Sequence, residues 1–181
     1  ALQQDVDVVG IDSLHTAGDV EAAVAIAAAG RLVIATYAAG DIAAGVRRML
    51  DLGVEPYGLA AALSLGVGQR LVRLNCPNCS GETDGMLAAG VAGAEAGLRD
   101  RAGSGCPNCG GTGHRGAVAI HEVLPFTEPV RAVISRCGSV TDISRAAHAA
   151  GMRPLVTAGL ARVREGQVSA EELNRVLHFA G

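Results

Sequence analysis

The chain has 181 residues, of which 49% are apolar and only 2% aromatic, with no Trp and a formal net charge of −3. That length allows one good core, or a core with a small satellite domain, built from Ala, Val, Leu and Ile. The acidic balance argues against a polyanion-binding surface, and the scarcity of rings argues against a base-stacking platform for single-stranded nucleic acid.

All fifteen basic residues are Arg. Without Lys, a phosphate-cradling G-x-x-x-x-G-K-[ST] loop cannot lie within these residues. No apolar run reaches the ~20 residues of a membrane span, and no signal peptide is recognisable. Ala22–Gly30 is apolar but short, flanked by Glu21 and Arg31. The chain enters strand-like sequence almost at once, as the C-terminal piece of a longer protein would.

Val6 to Ile11 reads as a short buried strand, and Thr16 to Ala29 as a helix with Asp19 and Glu21 near its positive end. Gly30 stops it. Leu32 to Thr36 is a second buried strand, so the opening segment is a βαβ unit with parallel strands. Asp41 caps a helix to about Leu52, and Glu55-Pro56 opens another to about Leu65, with Pro early where its missing N–H is harmless. Gln69–Leu74 is a candidate strand. Residues 80–105 are a Gly/Ala-rich loop with a weak helix around Gly85–Gly97. Ala117–Leu124 is a strand. Helices follow at about Glu128–Cys137, Asp142–Ala150, Pro154–Glu165 and Ala170–Phe179, the last behind a Ser169/Glu172 capping box.

Cys76-Pro77-Asn78-Cys79 and Cys106-Pro107-Asn108-Cys109 are identical tetrapeptides separated by 26 residues. Each C-x-x-C turn aims two sulfurs at one point, and two facing turns complete a tetrahedron around Zn²⁺. Four sulfurs leave no open position, so the site is structural. The competing reading is a set of free or redox thiols, but paired C-x-x-C spacing in a reducing compartment favours metal. Cys106-Pro-Asn-Cys109-Gly-Gly-Thr-Gly113 matches the C-x-x-C-x-G-x-G repeat of DnaJ-type chaperones, which use four such repeats. Cys79 is followed by Ser-Gly-Glu-Thr, which breaks that pattern. Cys137 is unpaired in the sequence and is expected to be a small core residue on a helix.

Several segments in order resemble the C-terminal region of the secretion ATPases of the GspE/PilB class, which drive type II secretion and type IV pilus assembly. They are Asp5–Val9, Gly30–Thr36, Arg48–Pro56, Gln69–Arg73 leading into the first cysteine pair, and Gly105–Cys109 with Gly113–Gly116 and Ile120–Glu122. Gly151-Met152, Gly166 and Glu171–Arg175 complete the set. The resemblance implies a RecA-like α/β fold, six-subunit rings, and nucleotide held between this region and an upstream domain that carries the phosphate loop.

Two motifs depart from the family. Where it has approximately Gly-Glu-Ile-Arg-Asp, this chain has Asp12-Ser13-Leu14-His15-Thr16. Ser13 has no useful basicity, so it cannot replace the glutamate that polarises the attacking water. Asp12 is one residue early, and alternation along a strand points it to the other face. It is the sole weak catalytic candidate. The family's Thr-Leu-His-Thr-Asn is Thr36-Tyr37-Ala38-Ala39-Gly40, and Ala38 cannot hydrogen-bond a γ-phosphate.

The expected organisation is a partial RecA-like parallel sheet (1–75), a tetracysteine zinc loop (76–116), and a strand with a C-terminal helical subdomain (117–181). The resemblance implies a motor subunit whose own hydrolysis is in doubt, with structural Zn²⁺ on Cys76, Cys79, Cys106 and Cys109. ATP/Mg²⁺ would bind only with an upstream domain. The implied location is cytoplasmic, peripheral to the bacterial inner membrane. Its partners would be other ring subunits and inner-membrane platform proteins, with no nucleic acid and no membrane insertion. Two alternatives stand beside this: a truncated active ATPase, and a freestanding zinc-dependent module regulating such a motor. A four-Cys nucleic-acid reader is opposed by charge and ring content.

Overall fold

Residues 6–83 and 99–178 are described by a computed structural model of the chain. They divide into two units: unit 1 comprises residues 1–67 and 123–152, and unit 2 residues 68–122 and 153–181. The expected helix around Gly85–Gly97 lies outside the described residues.

Unit 1 opens with β1 (Val8–Ile11), α1 (Ala17–Ala28) and β2 (Leu32–Ala35). The strands pair in parallel from Val8↔Leu32 to Ile11↔Ala35, which is the βαβ unit expected from the sequence. Thr16 starts α1 through a complete capping box: its hydroxyl accepts from the Asp19 N–H, and the Asp19 carboxylate accepts from the Thr16 N–H. Asp41 caps α2 (Ile42–Asp51), and the Glu55 carboxylate accepts from the Tyr57 and Gly58 amides at the head of α3 (Pro56–Ala62). After the excursion through unit 2 the chain returns with α4 (Glu128–Ser135) and α5 (Val140–Ala149). Leu14, Val20, Val46, Leu50 and Leu59 then share one core with Leu124, Val130, Ile134 and Ile143.

The helix expected over Glu128–Cys137 ends two residues early. Its last carbonyls are taken by the Cys137 and Gly138 amides, at 2.9 Å each. Cys137 sits in the left-handed region at φ 55 and is exposed, so it is not the core residue the sequence suggested. Arg47 reaches across to donate to its carbonyl at 2.9 Å.

The excursion travels out along β3 (Leu65–Asn75) and back along β6 (His114–Pro125), which pair with each other. Both strands are longer than the Gln69–Leu74 and Ala117–Leu124 expected. Alternating exposure continues through Leu65, Gly66, Val67 and Gly68. Gly68 lets β3 lie against the buried Glu122, whose side chain a Cβ there would meet at 2.7 Å. Between them are β4 (Ser80–Glu82) and β5 (Arg101–Gly103), an antiparallel pair. Unit 2 is completed by α6 (Leu155–Arg164) and α7 (Ala170–His178), packed around Val72, Ile120, Leu160, Val163 and Leu173.

Buried polar links close unit 2. Asn75 donates to the carbonyls of Arg101 (2.7 Å) and Gly166 (3.0 Å). Asp100, fully buried, accepts from the amides of Arg101 and Ala170, both at 2.9 Å. Glu172, with its side chain 1% exposed, takes the Arg73 amide (3.0 Å) and the guanidiniums of Arg73 (2.6 Å) and Arg175 (2.7 Å).

Candidate metal centre

The four cysteines of the two tetrapeptides converge in unit 2. All four sulfurs lie within 4.8 Å of one another. Cys76 and Cys106 are 3.8 Å apart, Cys79 and Cys109 3.9 Å, and Cys106 and Cys109 3.7 Å. Disulfides would require about 2.05 Å. A tetrahedron of sulfurs around an ion with bonds of about 2.3 Å has edges of about 3.8 Å. The arrangement therefore fits a single tetrahedral ion, and zinc is compatible with it.

Backbone turns set this geometry. In the first pair, the Cys79 and Ser80 amides both fold back onto the Cys76 carbonyl. In the second, Pro107–Cys109 is a single 3-10 turn, and the Cys109 and Gly111 amides return to the Cys106 carbonyl. The two turns are joined where the Cys76 amide donates to the Gly113 carbonyl at 2.8 Å. The backbones of Gly103 and Gly113 cross so closely that a Cβ on Gly103 would stand 2.1 Å from the Gly113 oxygen. A Cβ on Gly113 would stand 2.3 Å from the Gly103 oxygen. Only glycine fits this crossing, which explains part of the glycine richness around the second pair.

The sulfurs are not electrostatically equivalent. Burial raises the Cys79 thiol to about 11, against the opposing pull of the Gly105 amide. Burial opposes ionisation of Cys109 too, but the Cys106 and Gly113 amides point at its sulfur from 3.2 and 3.3 Å and bring it down to about 6. Amide N–H groups aimed at a thiolate are the outer support a sulfur-bound metal requires. No histidine or carboxylate joins the group among the described residues.

The residues flagged for nucleotide chemistry lie elsewhere, in unit 1. Asp12 and Ser13 follow the last residue of β1, while Thr36, Tyr37 and Ala38 follow the last residue of β2. Because Ile11 is opposite Ala35, both altered motifs emerge at one end of the parallel pair. That carboxyl end is where open α/β sheets hold ligands. Exposure alternates along this stretch: Val8, Gly10 and Asp12 are exposed, whereas Val9, Ile11 and Ser13 are partly covered. Asp5, where the resemblance starts, lies outside the described residues.

Sequence reasoning missed the Glu172 cluster. Arg73 on β3 and Arg175 on α7 stand 102 positions apart in the chain, yet both converge on one carboxylate. The only signal was indirect: Glu172 stands at the third position of a capping box, and the Ser169 hydroxyl does accept from its amide at 3.2 Å.

Comparison with known proteins agrees with the geometry. The family described as type II/IV secretion system protein matches residues 1–175. This chain belongs to that family. It is 36% identical over 177 residues to the type IV pilus assembly ATPase PilB of Thermus thermophilus, covering 95% of this chain and 20% of that protein. It is 33% identical over 179 residues to the type II secretion system protein HxcR of Pseudomonas aeruginosa, covering 99% of this chain and 35% of that one. The ATPase DotB of Yersinia pseudotuberculosis shares the fold, with a TM-score of 0.66 at 19% identity over 99% of this chain and 39% of that one. The family member described here therefore spans well under half the length of these relatives. Among its described residues no helix is long and apolar enough to cross a membrane.

Proposed function

We propose that this chain is the zinc-bearing C-terminal portion of a secretion or pilus motor subunit, and that it contributes architecture and contacts while hydrolysing no ATP of its own. The observation that carries the reading is the meeting of two chemically emptied motifs, Ser13 after β1 and Ala38 after β2, at one end of the parallel pair. A hydroxyl and a methyl group offer neither a general base nor a γ-phosphate donor there. Asp12 follows the exposed parity of the strand, opposite to Ser13, which fits its absence from the chemistry. Two of the relatives are type IV pilus assembly ATPases by name, which supports reading the framework as a motor's even where its reactive groups are not.

The exposed apolar face of the two-stranded sheet, with Val8, Leu32 and Ile34 each more than half exposed, suits a strand pair that is part of a larger sheet. The occupant of the four cysteines is Zn²⁺, held by Cys76, Cys79, Cys106 and Cys109. In this reading the ion ties β3, β4, β5 and β6 together and supplies no reaction. The subunit works in the cytoplasm against the inner membrane, in a ring of like subunits that meets platform proteins of the secretion or pilus system.

Two measurements test this. Metal analysis of the purified chain should return one zinc per molecule, lost when Cys79 and Cys109 are both replaced by Ser. ATP turnover should stay at background with or without an added nucleotide-binding domain from a relative. Turnover that Asp12→Asn abolishes would overturn the silent-motor reading, and a chain that folds fully without metal would overturn the structural role of zinc.

A further inference from the structure

Unit 2 contains an open groove of about 520 Å³ between β6 and α6. One wall is Ala119, Ile120 and His121 of β6. Ile120 is buried and His121 exposed, so these neighbours point to opposite faces of the sheet. A groove that touches both must run along the backbone edge of the strand. Among the described residues β6 is hydrogen-bonded to β3 alone, so this second edge is open. The other wall is α6, where Ala158 and Ala161 leave room and Arg153, Arg162 and Arg164 stand at the rim.

Size and charge narrow the occupant. Four strand residues span about 13 Å, and the ten residues of α6 span about 15 Å, so a short extended segment matches the trough. The lining holds one carboxylate, Glu165, which is paired with Arg162 at 3.0 Å, and Arg164 has a partner of its own. Arg153 carries no ion pair among the described residues. A second copy of this chain would bring the same arginines face to face, which electrostatics disfavours. We propose that the β6–α6 groove receives an extended acidic peptide segment of a partner protein. The segment adds as a strand to the open edge of β6, with a carboxylate toward Arg153. Backbone pairing supplies the register, and Arg153 selects the side chain.

The test uses the whole chain and a fluorescein-labelled nonapeptide of alternating valine and glutamate, read by anisotropy. The peptide should bind and should slow hydrogen exchange of amides within residues 118–122. Affinity should fall about tenfold with Arg153→Glu, an exposed position, or with Ala161→Trp, which fills the trough. It should also fall when alternate peptide amides are N-methylated. Five results would each overturn the proposal: no binding; equal binding of a lysine-for-glutamate peptide; equal binding of the methylated peptide; protection elsewhere in the chain; or Arg153-dependent binding of inorganic phosphate with no peptide protection. Concentration-dependent dimerisation that protects the same amides would assign the edge to a second copy and overturn it as well.

Discussion

Replacing Glu172 with Gln isolates the polar cluster that joins α7 to β3. The carboxylate is 1% exposed, while Arg73 and Arg175 are 48% and 46% exposed. Four N–H donors reach it: the Arg73 amide and Nη2, and the Arg175 Nε and Nη2. Glutamine keeps the shape but loses the charge, and its amide group turns a donor toward donors. Breaking a buried ion pair costs about 3–5 kcal/mol, but here both arginines can regain water, so about 2–3 kcal/mol is the reasonable expectation. For a chain of this length that is roughly 5–10 °C in Tm.

The sign of the pH dependence follows from the same cluster. Burial pushes the Glu172 carboxyl upward, but the guanidiniums of Arg175 and Arg73 and the Arg73 amide outweigh it and hold the group far below its usual 4.5. A depressed carboxylate stabilises the fold above the unfolded pKa and loses that contribution as pH falls below it, at about 1.4 kcal/mol per pH unit. The gap between wild type and E172Q should therefore be constant above about pH 6 and nearly close by about pH 3. Paired thermal melts across that range check it, and taking the difference cancels the acid sensitivity both proteins share at the cysteines. A gap that stays constant to the lowest pH, or a variant as stable as wild type at pH 7, would refute the reasoning.

Two further predictions concern the metal. Gly113→Ala puts a methyl group 2.3 Å from a backbone oxygen at a residue whose φ is +73, so the two cysteine turns can no longer cross. Zinc affinity, measured by competition with a chromophoric chelator, should fall at least about tenfold, and unchanged affinity would discredit the crossing. Because burial keeps Cys79 protonated to about 11 while Cys109 ionises near 6, zinc uptake at pH 7 should release protons, with Cys79 giving one up and Cys109 contributing little. Calorimetric titration in buffers of differing ionisation enthalpy counts them, and a release near zero would contradict the site.

What could be read from the sequence was what depends on local pattern. The βαβ opening showed itself in two apolar runs with an acid-led helix between them, and Asp41 caps α2 as its residue type predicts. The metal cluster was legible because two identical C-x-x-C turns carry their own geometry. What stayed hidden depends on partners distant in the chain. Glu172 meets Arg73 across 99 residues, and no periodicity reports that. Cys137 misled because its apolar character predicts burial, while the helix end that exposes it is decided by Gly138, where any Cβ would strike Val133 at 2.4 Å.

The polar links of unit 2 are arranged as a chain of consequences that starts at the cysteine cluster. Cys76 is one of the four cysteines placed to hold an ion, and its neighbour Asn75 is the residue whose side chain holds the carbonyls of Arg101 and Gly166 and whose amide meets the Gln167 carbonyl at 2.7 Å. Arg101 follows Asp100, which caps α7 through the Ala170 amide. Two residues into α7 is Glu172, which returns to Arg73, two residues before Asn75. The circuit leaves β3 and comes back to it, passing through both discontinuous segments of unit 2. Apolar packing around Val72 and Leu173 alone tolerates small shifts. A circuit that runs through the buried Asn75, Asp100 and Glu172 does not, because a link broken at any of these three strands a desolvated group. The sulfur cluster sits where it fixes the position of Asn75, and so fixes α7. Any ion held by the four sulfurs would thereby reach well beyond its own loop.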